Sequence, residues 1–404
     1  MNIDNETKTR SRVHLGLLPR VIIAIIWGVA CGVFFPVPLV RAFITFNSLF
    51  SQFLDFMIPL IIIGLVTPAI ADIGRGAGRL LMVTVVIAYA DTVAAALLAY
   101  GTGSCLFPSM IASTSGIPHV AKAAELSPYF VINIPAMVDV MSGLVFSFVM
   151  GLGIAYGNLS TTKHVFDEFK YVVDKVIAKG IIPFLPLYIF GVFLNMTYNG
   201  EAGKIMIVFA QIIVVIIVLH IFILVYEYCI AGGIVHRNPF RLLYNMMPAY
   251  LTALGTSSSA ATIPVTLAQT LKNGVSKAIA SFVVPLCATI HLSGSAMKIT
   301  ACALTICLLT GHAHGFGLFM YFILMLAIVM VAAPGVPGGA IMAALAPLAS
   351  ILGFNANEQA LMIALYIAMD SFGTACNVTG DGAIALVIDR MFGRKTTVLQ
   401  DRMD

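Results

Sequence analysis

The chain has 404 residues, of which 60% are hydrophobic and 10% charged; its formal net charge is +4 and its mean hydropathy +1.00. Soluble domains carry about a quarter charged residues, so a water-soluble globule is excluded and most of the chain must be buried in lipid. The slight basic excess, spread over short polar stretches, also excludes a nucleic-acid-binding surface.

Inside a bilayer only helices and closed barrels satisfy the backbone, and the long continuous apolar runs here exclude a barrel of short alternating strands. The first run follows Lys8, Arg10, Arg12 and Arg20 and has no small-x-small cleavage site before the next run, so it reads as a retained span, not a signal peptide. Further spans are expected near 42–71, 79–104, 129–156, 174–196, 205–233, 278–309 and 357–389, which with 15–36 makes eight. Cys31, Cys105, Cys229, Cys287, Cys302, Cys307 and Cys376 form no C-x-x-C pair and mostly fall inside these runs, as buried small hydrophobes rather than disulfide or zinc ligands.

Two further apolar segments, 243–271 and 317–352, resist the same reading. The first is broken at Gly255-Thr256-Ser257-Ser258-Ser259, the second at Pro334-Gly335-Val336-Pro337-Gly338-Gly339. A break facing lipid would leave backbone groups unpaired at several kcal/mol each, so both are expected to be re-entrant hairpins facing protein or a hydrated cavity. Such a pair is also the best pointer in a sequence to a transporter's binding site. With the N-terminus inside, eighteen of the twenty-two lysines and arginines fall on the cytoplasmic side, as the bias of cytoplasmic loops toward base requires. The expected molecule is therefore an all-α, multi-pass protein of the cell membrane (the inner membrane in a bacterium), with both termini cytoplasmic.

An ionisable residue near the bilayer centre costs about 2.5–3.5 kcal/mol and persists with a partner or a task. Asp55, Asp91, Glu227, Lys298, Asp370 and Asp381 are the candidates. Asp55, Asp139 and Glu227 stand alone and read first as helix-end or interhelical hydrogen bonds. Asp370, Thr374, Asn377 and Asp381 instead recur at i, i+4, i+7 and i+11, one polar stripe on a single helix. Carboxylates there accept a cation, whereas the serine-rich break offers hydroxyls and a helix N-terminus to an anion. Together they outline an amino acid. In the seventh span, Gly294 among small polar residues suggests local unwinding, and His291 and Lys298, seven apart, are expected on one face.

These pieces resemble the dicarboxylate/amino acid:cation symporter family, the glutamate transporter homologues. The resemblance rests on Thr256-Ser257-Ser258-Ser259 with Thr262-Ile263-Pro264, on Gly335-Val336-Pro337-Gly338, and on Asp370 through Asn377-Val378-Thr379-Gly380-Asp381. It implies a homotrimer working as an elevator. Scaffold helices would lie in residues 1–76 and 107–204, and a moving transport domain in 77–106 and 205–404. By position, Asp370 would bind a substrate ammonium, and Asn377, Ser258, Ser259 and the second tip at Val336 and Gly338 would bind a carboxylate. Thr374 and Gly373 would line the side-chain pocket, and Asp381 would hold sodium. Tyr89 and Thr92 match further sodium ligands, with Asp91 an addition.

Where family members that carry acidic substrates place an arginine, this chain has Gly373; a second arginine is absent from both Ser257 and Ser371. The family pattern Asn-Met-Asp-Gly-Thr is His291-Leu292-Ser293-Gly294-Ser295, so the carboxylate at Ser293 is gone. The expectation is a carrier of a small neutral amino acid, without a cofactor, coupled to sodium or protons or running as an exchanger. In this reading Lys298 replaces one bound ion by pairing with Asp91 or Asp381, and His291 is available for protons. Three alternatives compete: a sodium- or proton-coupled carrier of acidic amino acids or dicarboxylates with Lys298 or Lys122 as counter-charge, a channel, and an intramembrane hydrolase using Ser257–Ser259 and His291.

Overall fold

The computed structural model describes residues 17–75, 79–113, 126–200, 202–333 and 337–400. Lys122 and Val336 lie outside these residues. The described chain is helical. α1 (Leu17–Phe34), α2 (Val37–Arg75), α3 (Arg79–Ser113) and α4 (Val140–Gly157) are followed by α5 (Ser160–Val176) and, after a π-helical turn at Ile177–Ile181, by α6 (Leu185–Tyr198). Then come α7 (Ala202–Val235), α8 (Pro239–Asn245), α9 (Met247–Thr256), α10 (Ser259–Lys272), α11 (Lys277–Ile290) and α12 (Ser293–Thr310). The last four are α13 (Phe316–Val331), α14 (Gly339–Ser350), α15 (Ala356–Ala368) and α16 (Asp370–Gln400).

Among the described residues, five stretches are long and apolar enough to cross a membrane: Leu17–Phe34, Val37–Asp72, Arg79–Ala112, Ile205–Val235 and Lys277–Thr310. Two bent pairs bring the number to as many as seven: Ser160–Ile181 with Leu185–Tyr198 at 49°, and Ala356–Ala368 with Asp370–Phe392 at 62°. The chain is thus an all-α multi-pass membrane protein. The outer surface is as apolar as the core, as lipid permits: Ile26, Trp27, Val33, Val214, Val218 and Ile221 are exposed.

The expected span at 129–156 is corrected. Residues 130–136 are in neither helix nor strand and the helix begins only at Val140. Pro128 and Pro135 supply no amide for a helical ladder, and side chains of α2 take its place. Tyr129 donates its amide to Thr45 Oγ1 at 2.9 Å and Ile134 donates to Gln52 at 3.3 Å. Arg41 donates to the Ser127 carbonyl at 2.8 Å and lies 4.5 Å from the centroid of the Tyr129 ring. Asp139, at the start of α4, accepts the Ser142 amide, as expected of a helix-end residue.

The two broken segments form helix pairs. α9 packs on α10 and α13 on α14. Between α9 and α10 the chain reverses at Ser257, whose φ of 50° is left-handed, and Ser258 caps α10 by accepting the Ala261 amide. The C-terminal helix α16 packs against α7, α9, α11 and α12, while α3 lies along α12. A separate set joins α1 to α6 and α2 to α4.

The α1–α6 contact depends on small residues four apart. A Cβ on Gly28 would meet the Phe190 carbonyl at 2.7 Å, and one on Gly32 would meet the Leu194 carbonyl at 2.9 Å. Backbone cannot yield as a side-chain end can. Gly28→Leu is therefore expected to cost about 1–3 kcal/mol, read as a lowered thermal unfolding midpoint in detergent. Gly153→Ala, with nothing within 4 Å of its Cβ position, is expected not to lower that midpoint and to raise it slightly through helix propensity.

Candidate functional site

The site forms where two helices break beside α16. The α11–α12 line is interrupted at His291-Leu292, which leaves the amides of Gly294 and Ser295 without helical partners. Asn377 of α16 satisfies both: its Oδ1 accepts from Gly294 at 2.9 Å and from Ser295 at 3.3 Å. Its Nδ2 donates to Ser295 Oγ at 3.1 Å. Asn377 thus caps α12 from another helix. On the opposite side, buried His220 of α7 contacts the Gly294 carbonyl at 3.0 Å through Nε2.

The two ends of the polar stripe lie along α16 from that cap, Asp370 about two turns before it and Asp381 about one turn after it. At the first end, the bend at Met369 makes Asp370 the first residue of α16, where a carboxylate suits the helix dipole. Asp370 Oδ2 accepts the Gly338 amide of the second tip at 2.9 Å, and Oδ1 accepts from Lys298 Nζ at 3.2 Å. Lys298 is completely buried, and its Nζ stands 3.5 Å from the centroid of the Tyr366 ring and 3.4 Å from the Met369 carbonyl. The ammonium lies where a side chain at position 373 would begin. A Cβ on Gly373 would be 2.7 Å from Lys298 Nζ.

At the second end, His291 is completely buried between two carboxylates. Nδ1 is 2.9 Å from Asp381 of α16 and Nε2 is 2.8 Å from Asp91 of α3. Glu227 of α7 completes the group, with one ligand atom each of Asp91, Glu227 and His291 within 4.8 Å of one another. Ser293 donates its hydroxyl to Glu227 at 3.2 Å. Gly380 makes room for both: a Cβ there would lie 2.5 Å from Glu227 Oε2 and 2.8 Å from His291 Cε1.

A polar stripe, two interrupted helix pairs and buried countercharges in one bundle are the parts of a solute carrier. The family model for the sodium:dicarboxylate symporters matches residues 17–391. The chain belongs to that family. It is similar to the protein named "Serine/threonine transporter SstT" of Acinetobacter baumannii strains AYE and ATCC 17978, 28% identical over 93% of this chain and 97% of each relative. It is also similar to the "Excitatory amino acid transporter" of Caenorhabditis elegans, 27% identical over 63% of this chain and 52% of that protein. This symporter-family member is a secondary transporter and not an enzyme. The geometry agrees: Ser257 bonds Ser371 at 2.7 Å, and both His291 nitrogens face carboxylates.

The structure brings most of the expected site residues of this symporter together, with different partners from those anticipated. Lys298 pairs with Asp370, not with Asp91 or Asp381, which His291 bridges instead. His291 and Lys298 share no helix face, because His291 lies in the break before α12. Ser257 and Ser371, the two places of the absent second arginine, touch each other. Ser259 and Thr374 are buried. The Tyr89 hydroxyl donates to the Leu324 carbonyl at 3.2 Å, and that of Thr92 to Ala88 of its own helix at 2.8 Å. Glu227, first read as a helix-end or interhelical hydrogen bond, does make an interhelical one, from Ser293, and also belongs to the buried cluster; its place one turn from no other polar residue hid that membership. Tyr366 carried no signal beyond an apolar helix.

Removing one partner of a buried ion pair leaves the other charge desolvated, at about 3–5 kcal/mol. Lys298→Met is expected to lower the thermal unfolding midpoint sharply, and adding Asp370→Asn to recover most of that loss. Simple additivity of the two single changes would show that the pair is not coupled.

Proposed function

We propose that this symporter-family protein carries a solute with two carboxylates, a dicarboxylate being the best fit, in cation-coupled transport, and that Lys298 supplies the counter-charge for one of them. The carrying observation is the Lys298 ammonium, 3.2 Å from Asp370 and in the room left by Gly373. An amino acid would need Asp370 as an open acceptor for its ammonium, and here that acceptor already holds a cation. A dicarboxylate brings no ammonium. One of its ends would meet Lys298, and the other the hydroxyls of Ser258 and Ser259 and the amides of the two tips. The position of the positive charge in acidic-substrate carriers is thereby kept while its residue moves from α16 to α12. The family's own description, sodium:dicarboxylate symporter, supports this reading over the neutral amino acid first inferred.

The neutral amino acid remains the second reading because relatives at 28% identity are named serine/threonine transporters. In that case Lys298 would swing off Asp370 when the substrate arrives.

The grouping of helices supports movement of one unit past another. α3, α7 and α9–α12 gather around α16, whereas α1 joins α6 and α2 joins α4. Between the groups lies a cavity of about 650 Å³ lined by Asn47, Gln52 and Asp55 of α2, Asn195 of α6, and Asn355 and Glu358 at the start of α15. A polar, loosely filled boundary of this kind suits an elevator, with 1–76 and 107–204 as scaffold and 77–106 and 205–404 as the moving domain. A homotrimer with cytoplasmic termini completes the proposed assembly.

Counterflow into proteoliposomes tests the substrate. Uptake of labelled succinate, driven by unlabelled succinate inside, is expected to be blocked by excess external succinate and not by serine or threonine. Lys298→Met should abolish it, and Lys298→Met with Gly373→Arg should restore part of it by returning the charge to α16. Counterflow of serine alone, unaffected by succinate, would overturn the proposal.

A further inference from the structure

The cluster at the Asp381 end of the polar stripe holds more acid than base. Asp91 of α3, Glu227 of α7 and Asp381 of α16 surround a single imidazole, and among the described residues no lysine or arginine pairs with any of them. One imidazole cannot balance three carboxylates in either of its protonation states. Glu227 is buried; its Oε1 accepts the Ser293 hydroxyl at 3.2 Å, and its Oε2 has no hydrogen-bond partner. Leaving a buried acceptor unmet costs about 1–3 kcal/mol, and more when it is charged. That oxygen stands beside the ring: a Cβ on Gly380 would lie 2.5 Å from Oε2 and 2.8 Å from His291 Cε1.

The imidazole poses the same problem from its own side. Its Nδ1 is 2.9 Å from Asp381 and its Nε2 is 2.8 Å from Asp91. An ionised carboxylate only accepts hydrogen bonds, so in the neutral ring one contact is donated and the other sets two acceptors face to face. With the N–H on Nδ1, Asp381 receives its hydrogen bond and the Nε2 lone pair is left facing Asp91. One ligand atom each of Asp91, Glu227 and His291 lies within 4.8 Å of the others. Three converging acceptors ask for a shared cation. A carboxylate on the far nitrogen of the ring is also the arrangement that orients metal-bound histidines.

We propose that Asp91, Glu227 and the Nε2 of His291 form a binding site for a divalent transition-metal ion, with Asp381 orienting the ring and Ser293 orienting Glu227. The donor set selects the class of ion. Hard cations such as magnesium and calcium take oxygen ligands, and sodium is of that kind, whereas an imidazole nitrogen suits first-row transition ions. One nitrogen with two carboxylates therefore favours zinc or manganese. The side chain of Asp91 keeps 16% of its surface exposed, which gives an ion a way in, while His291 is sealed. Once bound, the ion would tie α3, α7 and the break before α12 directly, and α16 through Asp381. The site stands at the end of the stripe away from Lys298, so it holds whichever solute is carried.

The test uses no substrate. The purified full-length protein is stripped with a chelator and titrated with manganese chloride, while the thermal unfolding midpoint, which a ligand of the folded state raises, and the electron paramagnetic resonance of the ion are followed. The midpoint should rise and saturate at a single ion per chain. Zinc should displace the manganese, and magnesium or sodium at equal ionic strength should neither displace it nor raise the midpoint. The spin echo of the bound manganese should be modulated by an imidazole nitrogen. Glu227→Gln should abolish binding and Asp381→Asn weaken it about 10–100-fold, while His312→Gln, which removes the partly exposed imidazole beside Glu358, should leave it intact. A parent protein indifferent to manganese and zinc would overturn the proposal, by leaving protons as the only charge these carboxylates share. An equal rise with magnesium, or binding that survives Glu227→Gln and is lost in His312→Gln, would overturn it too. Should Glu227→Gln not fold, the spin echo of His312→Gln decides: imidazole modulation supports the buried site, and its absence refutes it.

Discussion

A carboxylate withdrawn from water into a helix bundle must meet a proton, a cation or a set of hydrogen-bond donors, because the desolvation cost otherwise exceeds what packing returns. Asp370, Asp381 and Glu227 are all buried, and Asp91 is half-buried beside them. The chain answers with its own basic side chains. Lys298 meets Asp370 and His291 meets Asp381 and Asp91, both from the interrupted seventh span. The positions of the breaks follow from this requirement: an unbroken helix has no spare amides and could not present a histidine sideways between two neighbours.

Each interruption creates donors at the place where an acceptor is needed. The break at His291-Leu292 frees the Gly294 and Ser295 amides, and Asn377 takes them both. The second tip ends with Gly338 at a φ of +76°, a conformation that glycine adopts without strain, and its amide meets Asp370. The serine-rich tip spends Ser258 on capping α10 and Ser257 on holding Ser371. At these breaks, among the described residues, protein groups satisfy the irregular backbone.

Much of this was legible in the sequence. The apolar runs located most of the spans, the Gly/Pro and serine interruptions located the paired short helices, and the four-residue stripe from Asp370 to Asp381 pointed to the candidate site. What could not be read was which charge meets which. Partner choice is a tertiary matter, and the break before α12 rotates His291 away from the face that a continuous helix would have shared with Lys298. Gly373 read as the plain loss of an arginine because a missing side chain looks like a missing charge along one helix; the lysine that fills its place comes from another. Gly380 hides the same relation to His291 and Glu227. The non-helical segment before α4 was misread for a different reason: its composition is apolar enough for a span, and hydrogen bonds from α2 make a non-helical path tolerable there.

The central claim is that the buried ammonium of Lys298 is the substrate's counter-charge. It is tested most directly by a cryo-electron microscopy map of the protein in nanodiscs saturated with succinate. The account places one succinate carboxylate within hydrogen-bond distance of Lys298 Nζ, between the two tips and α16. A map with succinate elsewhere, or with an amino acid's ammonium on Asp370 and Lys298 turned away, would contradict it.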